Sequence, residues 1–248
     1  MKTLGIIPSR WESKRFPGKS LAPICGKPLV LWVVEACLRA KTLDEVIVAT
    51  DDERIVQALK GSGARVVMTD PEHPSGTDRV AEAAGASDDD IVVNIQGDEP
   101  LIDPLLIDAV AEKLKSDARW QMSTACAPIR SRDELLSSTV VKVVLDAADG
   151  ALYFSRLPIP FRRDGEEDLS CGLYQRHIGI YGYRGDFLQR FVSESPCALE
   201  TTESLEQLRA LWLGGRIGVV RTNEIGLGVD RPEDVNVVER MIRERGLI

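Results

Sequence analysis

The chain has 248 residues, of which 44% are apolar and 28% charged, and carries a net charge of −8. These values exclude a disordered chain and suit one large domain with a sizeable core. The acidic balance argues against a nucleic-acid polymer as ligand, because that binding draws on excess Lys and Arg; it leaves room for a single nucleotide in a locally basic pocket.

The first predicted strand, Leu4–Pro8, is an apolar run that enters a polar loop carrying Arg10, Lys14 and Arg15 and ending in Pro17-Gly-Lys19. Pro17 stiffens the turn, Gly18 admits a ligand close to the backbone, and Lys19 supplies a point charge suited to phosphate oxygens. An ordinary solvated basic loop is the plain alternative. A helix follows at Pro28–Ala40, then a strand at Val46–Thr50 and a helix at Asp52–Ser62 with Asp52 as its cap. Another strand is expected at Arg65–Met68. The turn His73-Pro-Ser-Gly-Thr-Asp-Arg79 leads into a helix, with Ser75, Gly76 and Thr77 placed either to meet a base or sugar or simply to cap. A strand at Ile91–Ile95 ends in Asn94-Ile-Gln-Gly-Asp-Glu-Pro100. There Asp98 and Glu99 suit a hard cation or a backbone turn. A helix runs from Asp103-Pro104 to about Lys115. Continuous apolar strands alternating with helices predict a Rossmann-like, doubly wound α/β fold with a mostly parallel sheet covered on both faces, and ligands at the strands' carboxyl ends.

The second half is less regular. Strands are expected at Met122–Ala127, Val140–Leu145, His177–Tyr183 and Ile217–Val220, and helices at Thr202–Gly214 and Arg231–Arg245. Strand alternation puts His177, Gly179 and Tyr181 on one face, either as a ligand surface or around a structural histidine. Pro158 and Pro160 exclude a central strand from Ser155 to Phe161, which predicts an extended apolar arm, packed against a second subunit or against its own domain. Near the end, Gly226-Leu-Gly-Val-Asp230 presents Asp230 as either a helix N-cap or a partner of Asp98 in a metal site, and spacing does not choose. The organisation expected is a single domain over 1–248 with an arm or insertion at about 151–185. No apolar run reaches the roughly 20 residues of a membrane span and no signal-peptide pattern opens the chain, so a cytoplasmic protein without membrane insertion is expected. The five scattered cysteines read as reduced.

Together these segments resemble the 3-deoxy-manno-octulosonate (Kdo) cytidylyltransferase family. The resemblance rests on Ile6–Lys19, Val48-Ala-Thr-Asp51, Ser75-Gly-Thr-Asp-Arg79 and Val93–Pro100. It continues through Val141–Asp146, Ala151-Leu-Tyr-Phe-Ser-Arg156, His177-Ile-Gly-Ile-Tyr-Gly-Tyr183, Leu205-Glu-Gln-Leu-Arg209 and Gly228-Val-Asp230. It implies transfer of CMP from CTP to Kdo in lipopolysaccharide precursor synthesis, with Mg²⁺ as cofactor, CTP and Kdo as substrates, and a homodimer. Pro8, Ser9, Arg10, Lys19, Ser75, Gly76, Thr77 and Arg79 would then hold the nucleotide, with Arg10 and Lys19 on its phosphates. Asp98 and Asp230 would bind the metal; Gln96, Arg156, His177, Tyr181, Glu206 and Gln207 would line the sugar-acid pocket. The catalytic set so implied is Arg10, Lys19, Asp98 and Asp230. The alternatives are 8-amino-Kdo or another 2-keto sugar acid as acceptor, or a catalytically inactive nucleotide-binding relative.

Overall fold

The structure, a computed structural model of the chain, describes residues 1–13, 15–85, 87–223 and 226–248. Lys14, one of the cations expected in the first loop, lies outside the described residues. In chain order the elements are β1 (Thr3–Pro8), β2 (Pro23–Ile24), β3 (Lys27–Pro28), α1 (Leu29–Arg39), β4 (Glu45–Thr50), α2 (Glu53–Ala58), β5 (Arg65–Met68), α3 (Gly76–Ala84), β6 (Ile91–Asn94) and α4 (Pro104–Ser116). There follow β7 (Met122–Pro128), α5 (Arg132–Leu136), β8 (Lys142–Leu145), β9 (Ala151–Ser155), β10 (Gln175–Arg184), α6 (Gly185–Ser193), α7 (Ala198–Glu203), α8 (Gln207–Trp212), β11 (Ile217–Arg221) and α9 (Pro232–Glu244). The chain divides into two compact units, one of Met1–Asp108 with Gly226–Ile248 and one of Ala109–Ile225.

In the first unit the strands are parallel, in the order β6-β1-β4-β5. Ile6, Ile7, Ile47, Val48, Val92 and Val93 are wholly buried, as parallel strands with both faces covered require. The run Arg65–Met68 is the exception. β5 lies at the end of this order, so its Arg65 is exposed and Met68 is 50% exposed. α1 buries Leu29, Val30, Val33, Val34 and Cys37. As expected, Asp52 caps α2, accepting the Arg54 N–H at 2.8 Å. From β1 the chain builds outward through β4 and β5, then returns through α3 to place β6 on the other side of β1. That reversal opens a crevice at the carboxyl ends of β1 and β6, the usual ligand position in such sheets.

In the second unit β7 pairs in parallel with β11 and antiparallel with β10, while β8 joins β10 to β9 through antiparallel pairs. The β10–β7 register slips between Ile178 and Tyr181. The continuous helix expected over Thr202–Gly214 is instead two helices, α7 and α8. They are broken at Ser204, which takes the left-handed φ of 52°. A buried Glu200–Arg209 pair joins α7 to α8. The start of the expected arm is β9, paired to β8. Beyond it no strand or helix is assigned over 156–168, where Leu157 is 69% and Phe161 83% exposed. α5, α6 and β9 were not anticipated, although α6 shows a helical spacing in its buried Phe187, Leu188 and Phe191. All five cysteines are free, and no helix among the described residues is long and apolar enough to cross a membrane.

Candidate active site

The loop leaving β1 is held by its own small residues. Gly18 has φ +70°, and a Cβ there would lie 3.0 Å from the Trp11 ring. Its N–H donates to the Trp11 carbonyl at 3.0 Å, so the loop closes on itself just before Lys19. Ser9 is buried; its N–H donates to the Ala49 carbonyl and its hydroxyl to Ser20 Oγ at 2.9 Å. That hydroxyl therefore braces the loop. Arg10 is exposed and forms no ion pair with a described residue. Pro8 borders the other loop of the crevice, since a Cβ on Gly97 would come within 2.7 Å of its carbonyl oxygen. Only glycine lets the backbone after β6 pass this close to β1.

Asp98 and Asp230, remote in sequence, meet on one ammonium group. Lys19 Nζ donates to the Asp98 carboxylate and lies 3.8 Å from Asp230 Oδ1. Arg15 adds a bond to Asp230 at 2.8 Å, and the Val229 N–H donates to the Asp98 carbonyl at 2.8 Å. Of the two readings left open by spacing, the structure rules out the cap. Asp230 is not the N-cap of α9; that position belongs to Arg231, and Asp234 accepts the N–H groups of both Asp230 and Arg231 at 2.8 Å. The Asp98 and Asp230 side chains are 27% and 49% exposed. A pair of partly open carboxylates fits Mg²⁺, which takes one or two protein carboxylates and completes its shell with water and phosphate oxygens. Among the described residues no group of three or more His, Cys, Asp or Glu suits a metal.

The third cluster divides into capping and anchoring. Ser75 is the N-cap of α3, accepting the N–H groups of Thr77 and Asp78 at 3.1 and 3.3 Å, and Gly76 beside it is exposed. Thr77 and Arg79 are buried, at 5% and 3% exposure. The Arg79 guanidinium donates to Asp51 Oδ2 at 2.8 Å and to Thr69 Oγ1. Asp51 Oδ1 in turn accepts the Trp11 N–H at 3.2 Å. Asp51 therefore ties the loop after β1 to the start of α3. Sequence reasoning gave this residue no role; its signal was an acid directly after the strand end Val48-Ala-Thr50.

Of the six residues expected for a sugar acid, Gln96 belongs to the first unit and the other five to the second. His177 and Tyr181 have ring centroids 5.4 Å apart. The Tyr181 hydroxyl faces Gln207 Oε1 at 3.5 Å, and Gln207 is 2% exposed with its Nε2 unpartnered among the described residues. A buried amide donor without a partner is costly, so this N–H group is available to a ligand. Glu206 is half-buried at the start of α8. Burial lowers the His177 pKa to about 3, so its ring is neutral near pH 7. Arg156 directs its guanidinium at the carbonyls of Glu203, Ser138 and Ser204, at 2.7, 3.0 and 3.2 Å. Two of its five N–H groups are left over. Buried Lys142, missed in the sequence, donates to the carbonyls of Ser137, Val140 and Arg156.

A family profile described as Cytidylyltransferase matches residues 4–217. The 3-deoxy-manno-octulosonate cytidylyltransferase of Geobacter sulfurreducens is 49% identical over 245 residues, covering 96% of this chain and 98% of that protein. The protein of the same name from Bdellovibrio bacteriovorus is 46% identical over 248 residues, covering 100% of both. A solved structure of CMP:2-keto-3-deoxy-manno-octonic acid synthetase complexed with CTP aligns at a TM-score of 0.92 with 38% identity, over 99% of this chain and 100% of that one. A 4-diphosphocytidyl-2C-methyl-D-erythritol synthase, at a TM-score of 0.63 and 14% identity over 97% of this chain and 98% of that one, shares the fold alone.

Proposed function

The chain belongs to the 3-deoxy-manno-octulosonate cytidylyltransferase family, and on that premise we propose that it transfers CMP from CTP to Kdo, releasing pyrophosphate and activating Kdo for lipopolysaccharide synthesis. The observation that carries this reading for the chain's own residues is the meeting of Asp98 and Asp230 on Lys19, beside the crevice at β1 and β6. The same meeting argues against a catalytically inactive relative, which has no need to keep two carboxylates and a lysine together.

In this reading Arg10 and Lys19 hold the triphosphate, with Pro8, Ser9, Ser75, Gly76, Thr77 and Arg79 shaping the nucleotide's seat. Ser9 and Arg79 contribute mainly through the loop contacts described above. The 2-hydroxyl of Kdo attacks the α-phosphorus; the new P–O bond forms as the α–β bond breaks, pyrophosphate leaves, and the hydroxyl proton passes to solvent. Cations over the β- and γ-phosphates stabilise the charge on the leaving group. Asp98 and Asp230 would hold Mg²⁺, which when bound neutralises phosphate charge and aligns the reacting oxygens. Gln96, Arg156, His177, Tyr181, Glu206 and Gln207 would bind the sugar acid. The free N–H groups of Arg156 suit its carboxylate, a group that a neutral hexose lacks. We also place the enzyme in the cytoplasm as a homodimer, the exposed Leu157 and Phe161 supporting a covered face. Sedimentation at micromolar concentration tests that assembly, and a monomer would refute it.

The test of the activity is pyrophosphate release with CTP against UTP, across Kdo, 8-amino-Kdo and a sialic acid, with and without Mg²⁺. The reading requires release only with CTP, Kdo and the metal together. Preference for another sugar acid would move the acceptor, and undiminished activity in a chelator would remove the metal.

A further inference from the structure

Thr124 lies on β7 and is wholly buried. Its hydroxyl is surrounded by three groups: His177 Nε2 at 2.9 Å, the Ile180 carbonyl at 2.7 Å and the Ile178 carbonyl at 3.2 Å. Both carbonyls lie in the stretch of β10 where its register with β7 slips. A threonine hydroxyl has a single proton to donate. If that proton went to the imidazole, Oγ1 would face two carbonyl oxygens at close range with no hydrogen between them. The proton therefore goes to a carbonyl, the shorter contact being Ile180, and the imidazole must donate its Nε2–H to Thr124. Its Nδ1 is then an unprotonated acceptor, with no hydrogen-bond partner among the described residues.

We propose that Thr124 is a positioning residue: it locks His177 in the neutral Nε2–H form, so that Nδ1 is presented as a hydrogen-bond acceptor to a hydroxyl of the sugar acid. The second half of this statement rests on His177 lying in the sugar-acid site. The consequence is chemical selectivity. A neutral ring that can only accept recognises a hydroxyl and cannot pair with the carboxylate, which leaves the carboxylate to a donor such as Arg156. The surroundings of the ring support the neutral form. Phe154 meets it edge-on at 5.1 Å, and the Tyr181 ring lies tilted against it at 5.4 Å. Burial lowers its pKa, and among the described residues no charged neighbour contributes to that shift. Gln207 Nε2, the unpartnered donor that shares Tyr181 with this histidine, supplies the complementary group that a hydroxyl oxygen accepts.

The chain has only two histidines, so imidazole ¹⁵N NMR reads this site directly, with His73→Asn assigning the signals. Wild-type His177 is expected to show a protonated Nε2 and an unprotonated Nδ1 throughout about pH 5.5 to 8. A protonated Nδ1, an averaged pair or an imidazolium in that range would overturn the proposal without any variant at Thr124. Thr124→Val, which keeps shape and removes the hydroxyl, should lose the single tautomer and raise KM for Kdo about tenfold, with CTP binding within about twofold of wild type. Thr124→Ser should restore both. A Thr124→Val protein with the wild-type tautomer would overturn the locking role. An altered tautomer with unchanged Kdo kinetics would instead overturn the placement of His177 at the sugar acid.

Discussion

Lys19 is bonded to Asp98 and close to Asp230, so three charges of this site are set by one another. Asp98→Asn and Asp230→Asn each preserve shape and remove one hard anionic ligand. Each is expected to abolish turnover while circular dichroism and thermal melting stay near wild type. Near-normal activity at ordinary Mg²⁺ would show that the residue is no essential ligand. Lys19→Ala should raise the CTP requirement and slow the chemical step, because the charge acts on both bound and departing phosphates; steady-state titration of CTP separates the two effects. Arg79 behaves differently. Its pair with Asp51 is nearly dry, the side chains being 4% and 14% exposed. Arg79→Met leaves Asp51 buried without its partner and should cost about 3–5 kcal/mol in urea unfolding. Adding Asp51→Asn should recover part of that loss. At this scale the sequence revealed which residue types matter, but not what each side chain touches. Ser75, Ser9 and Arg79 were legible as polar groups near a nucleotide loop. The cap at Ser75 is local and was among the readings open in the sequence, whereas the hydroxyl pair of Ser9 and the buried ion pair of Arg79 depend on Ser20 and Asp51, which meet them only after folding.

The elements were most legible where the physics is local. Fully apolar runs became the parallel strands β1, β4 and β6, and an Asp before a helical pattern became the cap of α2. β5 shows the limit: its residues read as a buried strand, but its position at the end of the strand order leaves Met68 exposed, and strand order is a long-range property. The break between α7 and α8 is a second case. No glycine or proline announces it; Ser204 adopts the left-handed conformation while the buried Glu200–Arg209 pair fixes the two short helices together. The loop after β6 makes a sharper prediction. Gly97 passes so close to Pro8 that a methyl group would meet its carbonyl oxygen at 2.7 Å. Gly97→Ala must move one backbone segment and should cost about 1–3 kcal/mol. Because Asp98 is the next residue, turnover should fall further than stability. Calorimetric melting beside kcat measures both, and a variant with wild-type values would show that the close approach is not needed.

Across the whole molecule, the acid side of the pH dependence of stability has two partly overlapping windows. His177 is neutral when folded, with a pKa near 3 against an ordinary value of 6.5. A folded pKa below the unfolded one means that the unfolded chain takes up the proton first as pH falls. The associated stability is therefore complete above about pH 6.5 and is lost progressively toward pH 3. Carboxylates held down by hydrogen bonds, such as Asp90 by the Lys2 N–H and Asp146 by the Gly150 N–H, act only below their ordinary 3.8. His177→Gln should thus flatten the acid limb between about pH 6.5 and 3 and leave its slope below that unchanged, as read by denaturant unfolding at stepped pH. The parallel α/β organisation was open to reading from order and periodicity, whereas the division into two compact units was not, because the first unit gathers both ends of the chain. The claim that joins fold, site and family is transfer of a cytidylyl group to Kdo, and ³¹P NMR of one reaction tests it most directly. With enzyme, CTP, Kdo and Mg²⁺, the account predicts CMP-Kdo and pyrophosphate in equal amounts, and no loss of CTP when Kdo is omitted. Hydrolysis of CTP without Kdo, or no Kdo-dependent change in its phosphate signals, would contradict it.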